Sequence, residues 1–219
     1  MGIIRDTKPY RILSLDGGGT WALIQAMVLM DIYGADTKGH EILADFDMVA
    51  ANSGGGIVAA GLIANMTPSD ILSVFFNEQK RKSIFQELPF YKKNLLRLFG
   101  VGPQFSTEGK RNGLSQVLSG IATNALQAIR IPNRKGKDIR FMFSAYDYDR
   151  DRAVFFRSDP NSPAANFPPS SSTISVIDVV HASSTALVQF FDKPALLRRK
   201  LQGQISFFWA NFSFNPDWL

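Results

Sequence analysis

Apolar and small side chains occur in short runs that predict buried strands, each followed by a helix. The run at 10–16, YRILSLD, stops at glycines and predicts a strand. The Ala-, Leu- and Met-rich run at 20–34 predicts a helix that ends at Gly34. The same order recurs as a strand over 46–51 and a helix over 55–65. Strands separated by helices indicate an α/β fold, with a central, mostly parallel sheet flanked by helices.

The sequence after residue 65 predicts further helices and one hairpin. Residues 66–85 read as one helix, with Thr67 as its N-cap and Pro68 at its first position. The remaining predictions are irregular chain over 88–110, a helix over 113–126, a hairpin over 138–158, a Pro/Ser loop over 159–172 and a helix over 174–187.

Composition narrows the class of protein. A chain of 219 residues with 45% hydrophobic and 20% charged side chains suits one globular domain. The net charge of +5 fits either a solvated surface or transient contact with an anionic membrane, and we expect no nucleic-acid partner. Without cysteine, a signal peptide or a long apolar run, we expect a cytoplasmic protein that can be peripheral at a membrane.

The first candidate site is the glycine loop DGGGT at the end of the first predicted strand. Gly17, Gly18 and Gly19 let the backbone turn sharply and direct N–H groups outward at the start of a helix. Such a loop binds a phosphate or an oxyanion, although a tight turn without function is the plain alternative.

The second candidate site is Ser53, between the second predicted strand and its helix. A nucleophile on such a turn needs small neighbours so that the strained serine is exposed, as in G-x-S-x-G. Here Ala51 holds the earlier glycine position, Asn52 and Gly54 flank the serine, and Gly55 holds the later position. Because both loops end parallel strands, we expect an oxyanion hole beside a serine nucleophile, which is the minimum apparatus for acyl transfer.

With these two loops the chain resembles the patatin-like phospholipases, a family of serine lipid acyl hydrolases. DGGGTWA is similar to the family's D-G-G-G-x-R/K-G, ANSGG to its G-x-S-x-G, and HASSTALVQFF to its run of small residues. The chain departs from the pattern at Trp21, Ala22 and Leu187. The resemblance implies Ser53 as nucleophile, Gly17 to Gly19 as oxyanion hole, a phospholipid or other fatty acyl ester as substrate, and no metal or organic cofactor.

The proton acceptor is missing from this pattern. The family uses an aspartate in a D-G-G or D-G-A motif, and no such motif follows Ser184. Asp192 comes too early and Asp217 precedes a tryptophan, while His40 and His181 are expected to be structural. We therefore expect an incomplete patatin-like domain over 8–195, an atypical basic and aromatic tail over 196–219, and impaired hydrolysis.

Two other functions remain open at this point. One is a catalytically inactive relative that serves in binding or regulation. The other is an ATP-binding protein similar to sugar kinases, in which DGGGT would be a phosphate loop. In that fold the loop leads into another strand, whereas residues 20–34 have the composition of a helix.

Overall fold

The computed structural model describes residues 9–88, 104–148, 151–159, 161, 174–185, 191–198 and 205–209. Its strands are β1 Ile12–Leu15, β2 Met48–Asn52, β3 Arg140–Asp147, β4 Arg152–Arg157, β5 Ala195–Arg198 and β6 Ile205–Trp209. Its α-helices are α1 Leu23–Tyr33, α2 Gly39–Leu43, α3 Ser53–Ile63, α4 Pro68–Phe76, α5 Glu78–Ile84, α6 Thr107–Val117 and α7 Val176–Ser184.

The sheet confirms the α/β class. Strands β1, β2 and β3 are parallel neighbours, with Leu15 opposite Ala51 and Asn52 opposite Ser144. The predicted hairpin forms, because β4 runs antiparallel to β3 along its other edge. The sheet is mixed, since three of its strand pairings are antiparallel. Both candidate loops follow parallel strands and therefore lie at the same end of the sheet, where the carboxyl ends of β1 and β2 meet.

The sheet continues past the predicted domain boundary at residue 195. Strand β5 begins at Ala195 and pairs antiparallel with β6, which in turn pairs with Tyr146 and Asp147 at the end of β3. Strand β4 pairs with one side of β3 along this stretch, and β2 pairs with the other side only as far as Ser144. Strand β6 therefore pairs with the β2 side of β3, beyond Ser144. Part of the predicted tail thus adds backbone pairing at the carboxyl end of the central strands.

Two helix boundaries differ from the sequence prediction. The helix predicted over 66–85 is two helices, because the side chain of Asn77 accepts the N–H groups of Gln79 and Lys80 and starts α5. The helix predicted over 113–126 begins earlier, at Thr107, where Ser106 accepts the Gly109 N–H, and it ends at Val117. The predicted Pro/Ser loop lies almost entirely outside the described residues.

Helix α3 is the buried centre of the layer that covers the sheet. All eleven of its residues are buried, and it packs against α7, α2 and β2. Its small residues permit this close packing: a Cβ on Gly61 would lie 2.6 Å from a side-chain carbon of Ile71. The first residue of α3 is Ser53, so this packing fixes the position of the candidate nucleophile.

Candidate active site

Ser53 lies at a sharp turn between β2 and α3. Its φ of 49° falls in the left-handed region, which an ordinary side chain rarely adopts. A backbone strained in this way costs about 1–3 kcal/mol and persists only where the surrounding structure holds it. The expectation that Ser53 is exposed is wrong: only 3% of its surface is accessible, because neighbouring loops and helices cover it. The strained serine thus joins a strand directly to a helix, which is the position that a nucleophile elbow requires.

The glycine loop after β1 lies against this turn. A Cβ on Gly17 would be 3.2 Å from Ser53 Cβ and 3.2 Å from Asn52 Nδ2. A Cβ on Gly54 would be 2.4 Å from the carbonyl oxygen of Gly19. Since no real Cβ approaches backbone that closely, glycine is required at position 54. The two loops that the sequence singled out are therefore in contact.

Gly55 joins the two loops from the helix side. Its N–H donates to the carbonyl oxygen of Asp16 at 3.1 Å. A Cβ at this position would lie 2.2 Å from the carbonyl oxygen of Leu15. The absence of a side chain thus allows α3 to begin directly beside the end of β1, and it sets the spacing between the loops.

Two of the three residues of the glycine loop have a backbone conformation with positive φ. Gly18 and Gly19 have φ values of 145° and 58°, so both favour glycine. The Trp21 N–H donates to Gly18, and a 3₁₀ turn leads into helix α1 and not into a strand. This helix opposes the sugar-kinase alternative, which requires a hairpin. The two departures from the family motif differ in setting: the Trp21 side chain is 73% exposed, and Ala22 is buried against α3.

Of the first three N–H groups of α3, two donate hydrogen bonds to acceptors in other parts of the protein. Ser53 N–H donates to the hydroxyl oxygen of Ser183 on α7 at 3.0 Å, and Gly55 N–H donates to Asp16. Within the described part of the chain, Gly54 N–H has no hydrogen-bond acceptor. A free amide after the nucleophile, at the positive end of a helix, can bind the oxyanion that forms during acyl transfer.

Neither histidine is placed to accept the proton of Ser53. His40 Nε2 bonds to the carbonyl oxygen of Ile63, about 15 Å along α3 from the serine. His181 lies two residues before Ser183, about 200° around α7, and therefore points away from α3. Burial, with smaller contributions from Lys110 and Arg111, holds the pKa of His181 well below its usual value.

Among the described residues, no carboxylate makes a hydrogen bond to Ser53. Asp192, which comes too early in the sequence for the family's aspartate motif, accepts the Thr107 N–H at 2.9 Å and so caps α6. Asp217 lies outside the described residues. Asp147, which the sequence did not single out, is fully buried at the carboxyl end of β3, on the same sheet edge as the two loops. No cluster of three or more His, Asp or Glu side chains in the described ranges could hold a metal.

Comparison with known proteins identifies the family of this chain. The family model described as "Patatin-like phospholipase" matches residues 13–206. This chain therefore belongs to the patatin-like phospholipase family, a family of lipid hydrolases, and the match extends beyond the predicted boundary at 195. Membership does not by itself assign a role to Ser53 or to the glycine loops.

One relative is a cGAMP-activated phospholipase of Pseudomonas aeruginosa (strain BWHPSA011 / Pa011). It is 28% identical over 181 residues, which cover 83% of this chain and 48% of the relative.

Two solved structures are also similar, and each shares little sequence with this chain. VipD from Legionella pneumophila has a TM-score of 0.47 and 14% identity, covering 93% of this chain and 46% of VipD. The type III effector ExoU, from Pseudomonas aeruginosa, has a TM-score of 0.42 and 15% identity, covering 84% of this chain and 42% of ExoU. The chain spans about half the length of the proteins it matches.

Proposed function

We propose that this chain is a lipid acyl hydrolase of the phospholipase A type that acts through an acyl-serine intermediate on Ser53. One observation carries the proposal: Ser53 occupies a left-handed turn at the start of α3, in contact with the glycine loop at Gly17. A serine held this way, beside backbone N–H donors, matches the requirements of acyl transfer.

In the proposed reaction, Ser53 Oγ attacks the ester carbonyl carbon and its proton passes to a base. The Gly54 N–H and the amides of Gly17 to Gly19 stabilise the negative oxygen of the tetrahedral intermediate. The carbon–oxygen bond to the alcohol then breaks, the alcohol leaves with a proton, and water releases the fatty acid from the serine. No step needs a metal or an organic cofactor.

We further propose that turnover by this chain is low. In the ranges that the structure describes, Ser53 makes no hydrogen bond to a carboxylate, and the sequence lacks the family's aspartate motif. A serine hydroxyl without a base is a weak nucleophile. The oxyanion donors alone can leave an acceleration of about 10³–10⁴ over water. The same observation favours the second candidate, an inactive family member with a binding or regulatory role.

The outward side of α1 supports contact with an anionic membrane, which we include in the proposal. Large apolar side chains are exposed there at helical spacing, and they begin at the glycine loop: Trp21, Ile24, Met27, Val28 and Ile32. An apolar helix face with tryptophan at one end is typical of helices that lie in a membrane interface. No helix among the described residues is long and apolar enough to cross a bilayer.

The test is release of fatty acid from vesicles of phosphatidylcholine and phosphatidylglycerol by this chain. We expect slow release that Ser53→Ala abolishes. The exposed serine of α4 gives the matched control, Ser69→Ala, which should retain the wild-type rate. Release that survives Ser53→Ala in a folded protein would exclude Ser53 as the nucleophile, and no release by wild type would favour the inactive candidate.

A further inference from the structure

The hydroxyl of Ser183 is the acceptor for the backbone N–H of the strained serine. Ser183 is fully buried on α7, and its Oγ lies 3.0 Å from the Ser53 nitrogen. A Cβ on Gly56 would come within 3.9 Å of the same Oγ, which places the hydroxyl over the first turn of α3. Asn52, the N-cap residue, supplies no side-chain acceptor. Ser183 therefore does what an N-cap side chain does in most helices.

This hydrogen bond bears on the candidate reaction in two ways. It holds the first residue of α3 in a left-handed conformation that its own side chain does not favour. It also engages the Ser53 N–H, which therefore cannot donate to an oxyanion. The next amide, that of Gly54, is then the donor at the start of α3 that can do so. A shift of Ser53 would therefore move the nucleophile relative to the Gly54 N–H and to the amides of the glycine loop.

The end of α7 that presents Ser183 is itself anchored. Lys110 on α6 is fully buried, and its Nζ donates to the His181 carbonyl oxygen at 3.3 Å and to Thr185 Oγ1 at 2.9 Å. These bonds flank Ser183, two residues to either side. The Lys110 Nζ also lies 4.5 Å from the centre of the Phe191 ring. The Lys110 amino group thus satisfies one of the last carbonyl groups of α7, while burial holds the pKa of Lys110 well below its usual value.

We infer that Ser183 is a positioning residue for Ser53, and that Lys110 holds the helix end from which Ser183 acts. The inference rests on the proposed function of Ser53. It requires no contact of Ser183 with substrate: its hydroxyl acts through the backbone of the nucleophile. Its effect should thus fall on the reactivity of Ser53 and less on the binding of an ester.

The test compares Ser183→Ala with its neighbour, Ser184→Ala. Ser184 is also buried, but its hydroxyl donates to the Val180 carbonyl oxygen within its own helix, so the two changes remove the same atom. We would measure the rate at which a fluorophosphonate probe modifies Ser53, together with hydrogen exchange of the peptide that contains Ser53. Ser183→Ala should slow modification about 10- to 100-fold and speed exchange, because a misplaced nucleophile loses rate steeply. Ser184→Ala should stay within about twofold of wild type.

Further variants separate positioning from a general loss of structure. Ser183→Thr keeps the hydroxyl and should retain most of the wild-type modification rate. Lys110→Met should slow modification and speed exchange at Ser53 in the same direction as Ser183→Ala, but by a smaller factor. Equal modification of Ser53 in Ser183→Ala and Ser184→Ala would overturn the inference. If the probe does not modify Ser53 in wild type, the proposed function fails, and hydrogen exchange alone then tests whether Ser183 positions Ser53. Faster exchange at Ser53 in Ser183→Ala only would support positioning, and equal exchange in both would refute it.

Discussion

Replacing Gly55 by alanine should separate the two loops of the candidate site. The new Cβ would lie 2.2 Å from the Leu15 carbonyl oxygen and 2.6 Å from that of Asp16, and real Cβ contacts stay beyond 3.0 Å. The backbone must therefore move by at least 0.8 Å, the difference between 3.0 and 2.2 Å. That movement lengthens or breaks the Gly55 N–H bond to Asp16.

The cost follows from these two effects. Overpacking costs about 1–3 kcal/mol, and a buried hydrogen bond left unmade costs about 1–3 kcal/mol. Together we expect a loss of about 2–6 kcal/mol in the free energy of unfolding, which for a domain of this size lowers the Tm by about 4–24 °C. A displacement near 1 Å between nucleophile and oxyanion donors can cost about 100-fold in rate.

The assay is thermal unfolding followed by circular dichroism, with the rate of fluorophosphonate modification measured on folded protein. Gly120→Ala is the matched control, because a Cβ there meets no atom within 4 Å. It should leave both quantities close to wild type. A Gly55→Ala protein with the wild-type Tm and modification rate would refute the contact between the loops.

Three further predictions concern other parts of the molecule. Ile32→Glu, on the exposed face of α1, should reduce hydrolysis of phosphatidylglycerol vesicles several-fold and leave a soluble ester unaffected, whereas Phe155→Glu on β4 should change neither; equal rates on vesicles would exclude that face. Because the folded-state pKa of His181 lies below its unfolded value near 6.5, its contribution to stability is present above that pH and is lost below it. When the pH falls from 7 to 5, the free energy of unfolding, measured with denaturant, should decrease by up to about 2 kcal/mol more in wild type than in His181→Asn. The same pH dependence of this free energy in both proteins would contradict the prediction. Asp192→Ala should cost about 1 kcal/mol of stability through the lost cap, without slowing modification of Ser53. Slower modification in folded protein would indicate that Asp192 accepts the proton of Ser53.

The main features of the fold were predictable because local composition and tertiary packing agree. The strands before Gly17 and Ser53 are apolar, the following helices are rich in Ala and Leu, and glycine is needed at positions 54 and 55 for contacts that the structure contains. The helix break at Asn77 was missed, because its side chain competes with helical continuation inside a pattern that otherwise favours helix.

Other features depend on contacts between residues distant in sequence. Ser183 and Ser53 are 130 positions apart, and nothing in a run of small residues identifies which hydroxyl accepts an N–H. The pairing of β6 with β3 likewise joins distant residues. The sequence also did not indicate that Asp192 caps α6, because the capped residue, Thr107, is 85 positions away.

Reaction with a fluorophosphonate, with the modified residue mapped by mass spectrometry, shows whether Ser53 is the nucleophile of this protein. Ser53 is one of many serines in the chain, and ordinary hydroxyl groups do not react with such a probe. We expect a single slow adduct on Ser53 that is absent in Ser53→Ala and forms more slowly in Gly55→Ala but not in Gly120→Ala. An adduct at another residue, or none on Ser53 under exhaustive exposure of folded protein, would contradict this expectation.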